Sequence, residues 1–115
     1  MQFLVTVTMA RASGAPPAEF QAAMTALIDA ETRRGTFALT GGLAPHSDGT
    51  RLTLSADGAE RSDARLPLHG FAVVEARSLD DAIGVATSML RLHQEYVPNW
   101  EAHWEVRPIV THCLP

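Results

Sequence analysis

GFAVVEARSLDDAIGVATSMLRLH, residues 70–93, carries a strand, a helix start and a helix with no linker between them. GFAVVEA (70–76) is the most apolar of the runs that read as strands. Ser78 stands three residues before Asp81, the spacing of a helix N-cap whose hydroxyl takes up an otherwise unpaired backbone N–H. Beyond it Leu79, Ala82, Ile83, Ala86, Met89, Leu90 and His93 recur on one helical face. A strand that turns directly into an amphipathic helix is half of an α+β unit, so its flanks decide how the sheet closes.

Downstream, EAHWEVRPI (101–109) reads as a last strand stopped by Pro108. Upstream, TRLTLS (50–55) leads into Asp57-Gly58, a strong hairpin signal. TFALT (36–40) is a further strand that runs into Gly41-Gly42 and Pro45. Before it, Pro16 and Pro17 suit the first positions of a helix, where a missing N–H costs little. Phe20, Met24, Leu27 and Ile28 then share one face, and Gly35 is a natural stop. Residues 2–9 alternate Phe3, Val5, Val7 and Met9 against Gln2, Leu4, Thr6 and Thr8, as a strand with one buried face does.

The resulting order, β-α-β-β-β-α-β, is that of a ferredoxin-like α+β sandwich, with residues 1–110 as one domain and 111–115 as a tail. Two helices cover one face of such a sheet and leave the other bare. A second copy is the simplest cover for it, so a homodimer forming an α+β barrel is expected.

Composition bounds the function. A chain of 115 residues has room for one core, and 46% hydrophobic with 19% charged residues fits a globular domain. All nine basic residues are Arg, spread along a chain of net charge −4, without the basic stripe that a nucleic-acid surface needs. The single cysteine, Cys113, excludes an intramolecular disulfide within the chain and points to a reducing compartment. The N-terminal run lacks a basic leader, and no run reaches the ~18 apolar residues of a membrane span. A cytoplasmic protein is the expectation.

GGLAP (41–45), TRLTLSADG (50–58), SDARL (62–66), HGFAVVEARSLDDAI (69–83) and EVRPI (105–109) together resemble the YCII-related family, in particular its DGPF branch. The similarity spans most of the chain in the same order. It implies a dimeric α+β barrel and includes small-molecule enzymes among the family's characterised members. The DGPF signature stands here as Asp63-Ala64-Arg65-Leu66, so only Asp63 carries over. Other members place a His in the first helix. Met24 and Thr25 occupy that turn here, so an inherited His–Asp dyad is not supported.

Strand alternation divides the last strand. Ala102, Trp104 and Val106 fall on one face, and His103, Glu105 and Arg107 on the other beside Thr6 and Thr8. On the functional reading His103 is a general acid or base and Arg107 holds an anionic group. On the alternative reading Glu105 and Arg107 belong to a salt-bridge network. His69 with Asp63 would make an acid/base unit with the carboxylate orienting the imidazole. His93 closes the second helix, either as a helix-terminal cation or pointing into the cleft beside Tyr96; Tyr96 and Trp100 are candidate ligand contacts, set against a role in core and dimer packing. The histidines at 46, 69, 93, 103 and 112 lack close metal-ligand spacing, and no cofactor is expected.

Two classes of function follow. One is a small dimeric enzyme using His and Asp for proton transfer on a small organic molecule, by isomerisation, elimination or hydrolysis. The other is a non-catalytic binding or accessory dimer. Asn99-Trp100 adds a comparison with cofactor-independent monooxygenases, whose pockets are lined by aromatics and an Asn.

Overall fold

A computed structural model describes residues 1–110; Cys113 and His112 lie outside the described residues. The elements are β1 (Gln2–Arg11), α1 (Ala18–Arg33), β2 (Phe37–Gly42), β3 (Thr50–Ser55), β4 (Gly58–Asp63), β5 (Leu68–Glu75), α2 (Leu79–Tyr96) and β6 (Glu101–Pro108), with a 3-10 turn at His46–Asp48. β2, β5, β1 and β6 form the main sheet in that order, and every neighbouring pair is antiparallel. This is the ferredoxin-like α+β arrangement expected from the sequence.

The local signals act as their chemistry requires. The Ser78 hydroxyl accepts the Asp81 N–H at 3.1 Å and starts α2. Gly35, at φ 80, ends α1, and the Thr36 N–H returns to the Glu31 carbonyl at 2.9 Å. Both helices lie on one side of the sheet. Val5, Phe37, Ala72, Val74, Ala86 and Met89 are the buried cluster between the layers, with Met24, Ile28, Trp104 and Val106 packed against it. Burying each large side chain in such a cluster contributes about 1.5–3 kcal/mol.

The hairpin departs from the expected meander. β3 and β4 pair only with each other, as a separate two-stranded sheet. Ser55 pairs with Gly58, so the loop is Ala56-Asp57, and Gly58 carries the positive φ of 122. All residues of both arms are exposed, Leu52 and Leu54 included. The sequence shows a strand and a turn but not which strand receives them.

Candidate functional site

α2 delivers His93 to the gap between the helices and the sheet. Its Nδ1 lies 2.8 Å from the Met89 carbonyl one turn earlier, so Nδ1 carries the proton and donates it. In the neutral ring this leaves Nε2 as an acceptor. The ring stands edge-on between two aromatics from other elements. Phe20 of α1 is 4.7 Å away and Trp104 of β6 is 4.8 Å away, centroid to centroid.

A cavity of about 410 Å³ opens at this point, walled by Met24 and Ile28 of α1, Met89 of α2 and Val5 and Val7 of β1, with His93 and His69 among its lining groups. That volume suits a small organic molecule. His69 reaches it through a bulge. Val7 pairs with Gly70 and Thr8 with Leu68, so His69 is the extra residue, and its own side chain is exposed at the cavity. Thr40 also lines the space, but its hydroxyl already donates to the Phe71 carbonyl at 2.9 Å.

Two polar atoms stand out in this apolar setting. Burial holds the His93 pKa below the ordinary 6.5; the Met89 carbonyl opposes this, and charge on His69 adds to the lowering. The second atom is the Trp104 indole N–H, which is buried and has no hydrogen-bond partner among the described residues. A buried donor without an acceptor costs about 1–3 kcal/mol. An incoming oxygen would recover that cost.

The His93 shift has a consequence for stability. The folded protein binds this proton less readily than the unfolded chain does. Stability from this group is therefore complete above pH 6.5 and declines as pH falls from there towards the lowered folded value. His93→Gln removes that component, and its unfolding free energy, followed by urea titration from neutral to acid pH, should fall less steeply than that of the wild type. Equal slopes would show that His93 titrates alike in both states.

The structure distributes the other candidates over three places. His103, Glu105 and Arg107 are exposed on the far side of β6, where with Leu4, Thr6 and Thr8 they line a broad groove of about 760 Å³. No ion pair within 4.0 Å joins Glu105 to Arg107 among the described residues. His103 faces away from the 410 Å³ cavity that His93 lines, although both also border a pocket of about 380 Å³ around the end of α2 and the start of β6. Asp63 pairs with Thr50 at the base of the hairpin and makes no ion pair with His69, because the hairpin folds as its own sheet. The expected His69–Asp63 unit is therefore not assembled in this structure.

Tyr96 and Trp100 gather around Phe20, at 6.3 and 6.2 Å between ring centroids. The Trp100 indole donates to the Ser13 carbonyl at 3.1 Å and so ties the α1 entry loop to the start of β6. That bond occupies the polar atom a ligand would use, and it weakens the comparison with monooxygenase pockets. Phe20, Met24 and Ile28 are the site residues that sequence reasoning assigned only to the core. The helical periodicity that identified them could not separate a cavity wall from packing.

Among the described residues no group of three or more His, Cys, Asp or Glu is placed to hold a metal ion, and no helix is long and apolar enough to cross a membrane. No family model matches the chain and no curated protein is similar to it, so its function is read from this geometry.

Proposed function

We propose that this chain is a small enzyme of the YCII-related type that binds a largely apolar organic molecule between its helices and its sheet. His93 Nε2 takes a proton from the molecule. The observation that carries this reading is one cavity lined by two residues with unspent polar capacity, a neutral imidazole acceptor on His93 and an unpaired indole donor on Trp104. The ligand class this favours is a cyclic or aromatic carbonyl compound or phenol. Its oxygen would accept from Trp104, and an adjacent acidic C–H or O–H would face His93. Isomerisation and elimination begin with such a step, whereas in hydrolysis the same base would take the proton from an attacking water.

A second reading, a binding protein without turnover, is favoured by one fact: no Asp or Glu is among the residues lining this cavity. His93 is oriented by a backbone carbonyl rather than by a carboxylate, so it lacks the charged partner that stabilises an imidazolium.

The open sheet face supports the homodimer. Leu39, Val73, Leu4 and Arg107 form one row across all four strands, and Leu39 is 59% exposed. The row is apolar towards β2 and charged at β6. A second copy turned about a two-fold axis would cover the apolar part and bring the His103–Glu105–Arg107 strip towards its own counterpart.

The test uses a panel of small ketones and phenols in deuterated buffer, with binding followed by tryptophan fluorescence and C–H exchange by NMR. Binding with exchange supports the enzyme, and binding without exchange supports the second reading. Trp104→Phe should weaken binding about ten-fold, the equivalent of one hydrogen bond of ~1.4 kcal/mol. Its effect on stability should be small, because loss of the unpaired donor offsets the smaller ring. Unchanged affinity in this variant would remove Trp104 from the site.

A further inference from the structure

The hairpin is the least explained part of the molecule. Thr50–Asp63 projects from the end of the sheet, and its two strands pair with no other strand. The radius of gyration is 16.1 Å and the longest extent 49 Å, whereas a compact chain of this length has a radius near 13 Å. An isolated two-stranded hairpin is marginally stable in water. One that also displays leucines is an unusual use of chain unless something covers it.

Its two faces differ. Leu52 and Leu54 point the same way and Ala59 pairs directly with Leu54, so these three form an apolar patch, on a face that also carries Arg61 opposite Leu52 and the Thr50–Asp63 pair at the root. Leu52 is 73% and Leu54 87% exposed. The opposite face carries Arg51, Thr53, Ser55, Glu60 and Ser62, all polar. An arm with an apolar patch on one face and a polar face opposite is patterned to lay that patch on a surface. Its own sheet does not supply that surface. Between the root of the arm and the turn after β2 there is instead an open cleft of about 540 Å³, with Leu43, Leu52 and Leu66 in its walls.

We infer that the arm clasps a second copy of this chain, with the Leu52–Leu54 stripe bearing on the partner at the rim of its open sheet face. This rests on the dimer proposed above and adds to it the element that enlarges the contact. Strands of 6, 8, 10 and 8 residues offer a face of roughly 500 Å² in plan, at about 4.8 Å between strands and 3.3 Å per residue. One hairpin face adds about 200 Å² in plan, and the reciprocal clasp of the partner's arm adds as much again. Engaging both arms therefore raises the plan area of contact from about 500 to about 900 Å², nearly doubling what the sheets alone offer.

The arm begins and ends at β2 and β5, the same side of the sheet that carries the apolar end of the open face. Two-fold symmetry then lets each copy give one arm and receive one. The interface is isologous and closes at two copies, so the exposed leucines do not propagate a fibre.

Sedimentation velocity over a concentration series, on the wild type and on a Leu52→Asp/Leu54→Asp double variant, decides this. Both leucines are exposed within one copy, so the variant should keep the wild-type circular dichroism, and its dimer dissociation constant should rise at least about a hundred-fold. A milder Leu54→Ser variant, with an intermediate loss, guards against a folding defect in the double one. Amide exchange in the arm of the wild type should slow as concentration rises. A wild-type dimer whose dissociation constant is the same in the variants overturns the clasp and leaves the dimer standing. A wild type that stays monomeric throughout the series overturns both.

Discussion

Replacing Phe20 by Ala is expected to lower the unfolding free energy by about 3–5 kcal/mol and the midpoint of thermal unfolding by roughly 12 °C or more. Phe20 is 8% exposed and is the only aromatic that α1 contributes to the seam with α2 and β6. His93, Tyr96 and Trp100 all meet its ring, at 4.7, 6.3 and 6.2 Å between centroids. These partners come from the end of α2 and the segment leading into β6, so they cannot close together on the gap a methyl group would leave. Incomplete collapse puts the expected cost towards the upper part of that range. The same change removes one wall from beside His93. Water then reaches the imidazole, and the burial that lowers its pKa is relieved. Calorimetry measures the first effect, and NMR titration of the His93 ring the second. A midpoint shift under about 4 °C would mean that the helix seam is held elsewhere.

The sequence made the main sheet legible because β1 and β6 carry period-two alternation against a helix-covered face and β5 is a continuous apolar run. Phe3 and Val5 are 1% and 0% exposed, as their alternation against Gln2 and Leu4 requires. The β6 division also followed from alternation alone, with Trp104 packed inward and His103, Glu105 and Arg107 outward. Helix α2 began where Ser78 can cap it. Three things were not legible. The destination of the hairpin depends on which edge accepts it, and TRLTLS has the same pattern whether it joins the sheet or leaves it. The side taken by His69 depends on a one-residue bulge opposite Val7 and Thr8, and a bulge inverts the face of a side chain without changing the composition around it. The cavity is a third case. Met24, Ile28 and Met89 fit a helical stripe equally well when they touch the sheet and when they line a space beside it.

Those gaps explain why the emphasis moves from His103 to His93. Alternation put His103 on a face with Glu105 and Arg107, and residue types alone offered either an acid/base His103 with an anion-binding Arg107 or a salt-bridge network. In the structure these three are exposed, whereas His93 is half-buried and held by Met89 between two rings. A solvated imidazole is positioned by nothing in particular. A packed one with a committed Nδ1 presents Nε2 in a single direction, which is the geometric requirement for proton transfer.

His93→Gln is therefore expected to slow proton exchange on a bound carbonyl compound by about a hundred- to ten-thousand-fold, the range general-base catalysis supplies. Gln suits a helix and can still donate to the Met89 carbonyl, but at neutral pH it has no basic nitrogen. The loss of ring packing against Phe20 and Trp104 should cost about 1–2 kcal/mol, well short of unfolding the domain. Affinity for the ligand should change little, because the oxygen contact belongs to Trp104. The wild-type rate should rise with pH as His93 loses its proton, pass through a midpoint below 6.5 and stay level at neutral pH, since burial favours the neutral ring. In the variant that rise disappears. His103→Gln, on the far side of the sheet, should leave both the rate and its pH profile as in the wild type. Exchange in His93→Gln within two-fold of the wild type would take the proton-accepting role away from His93. A loss confined to His103→Gln would transfer it to the open face and make the dimer interface the site.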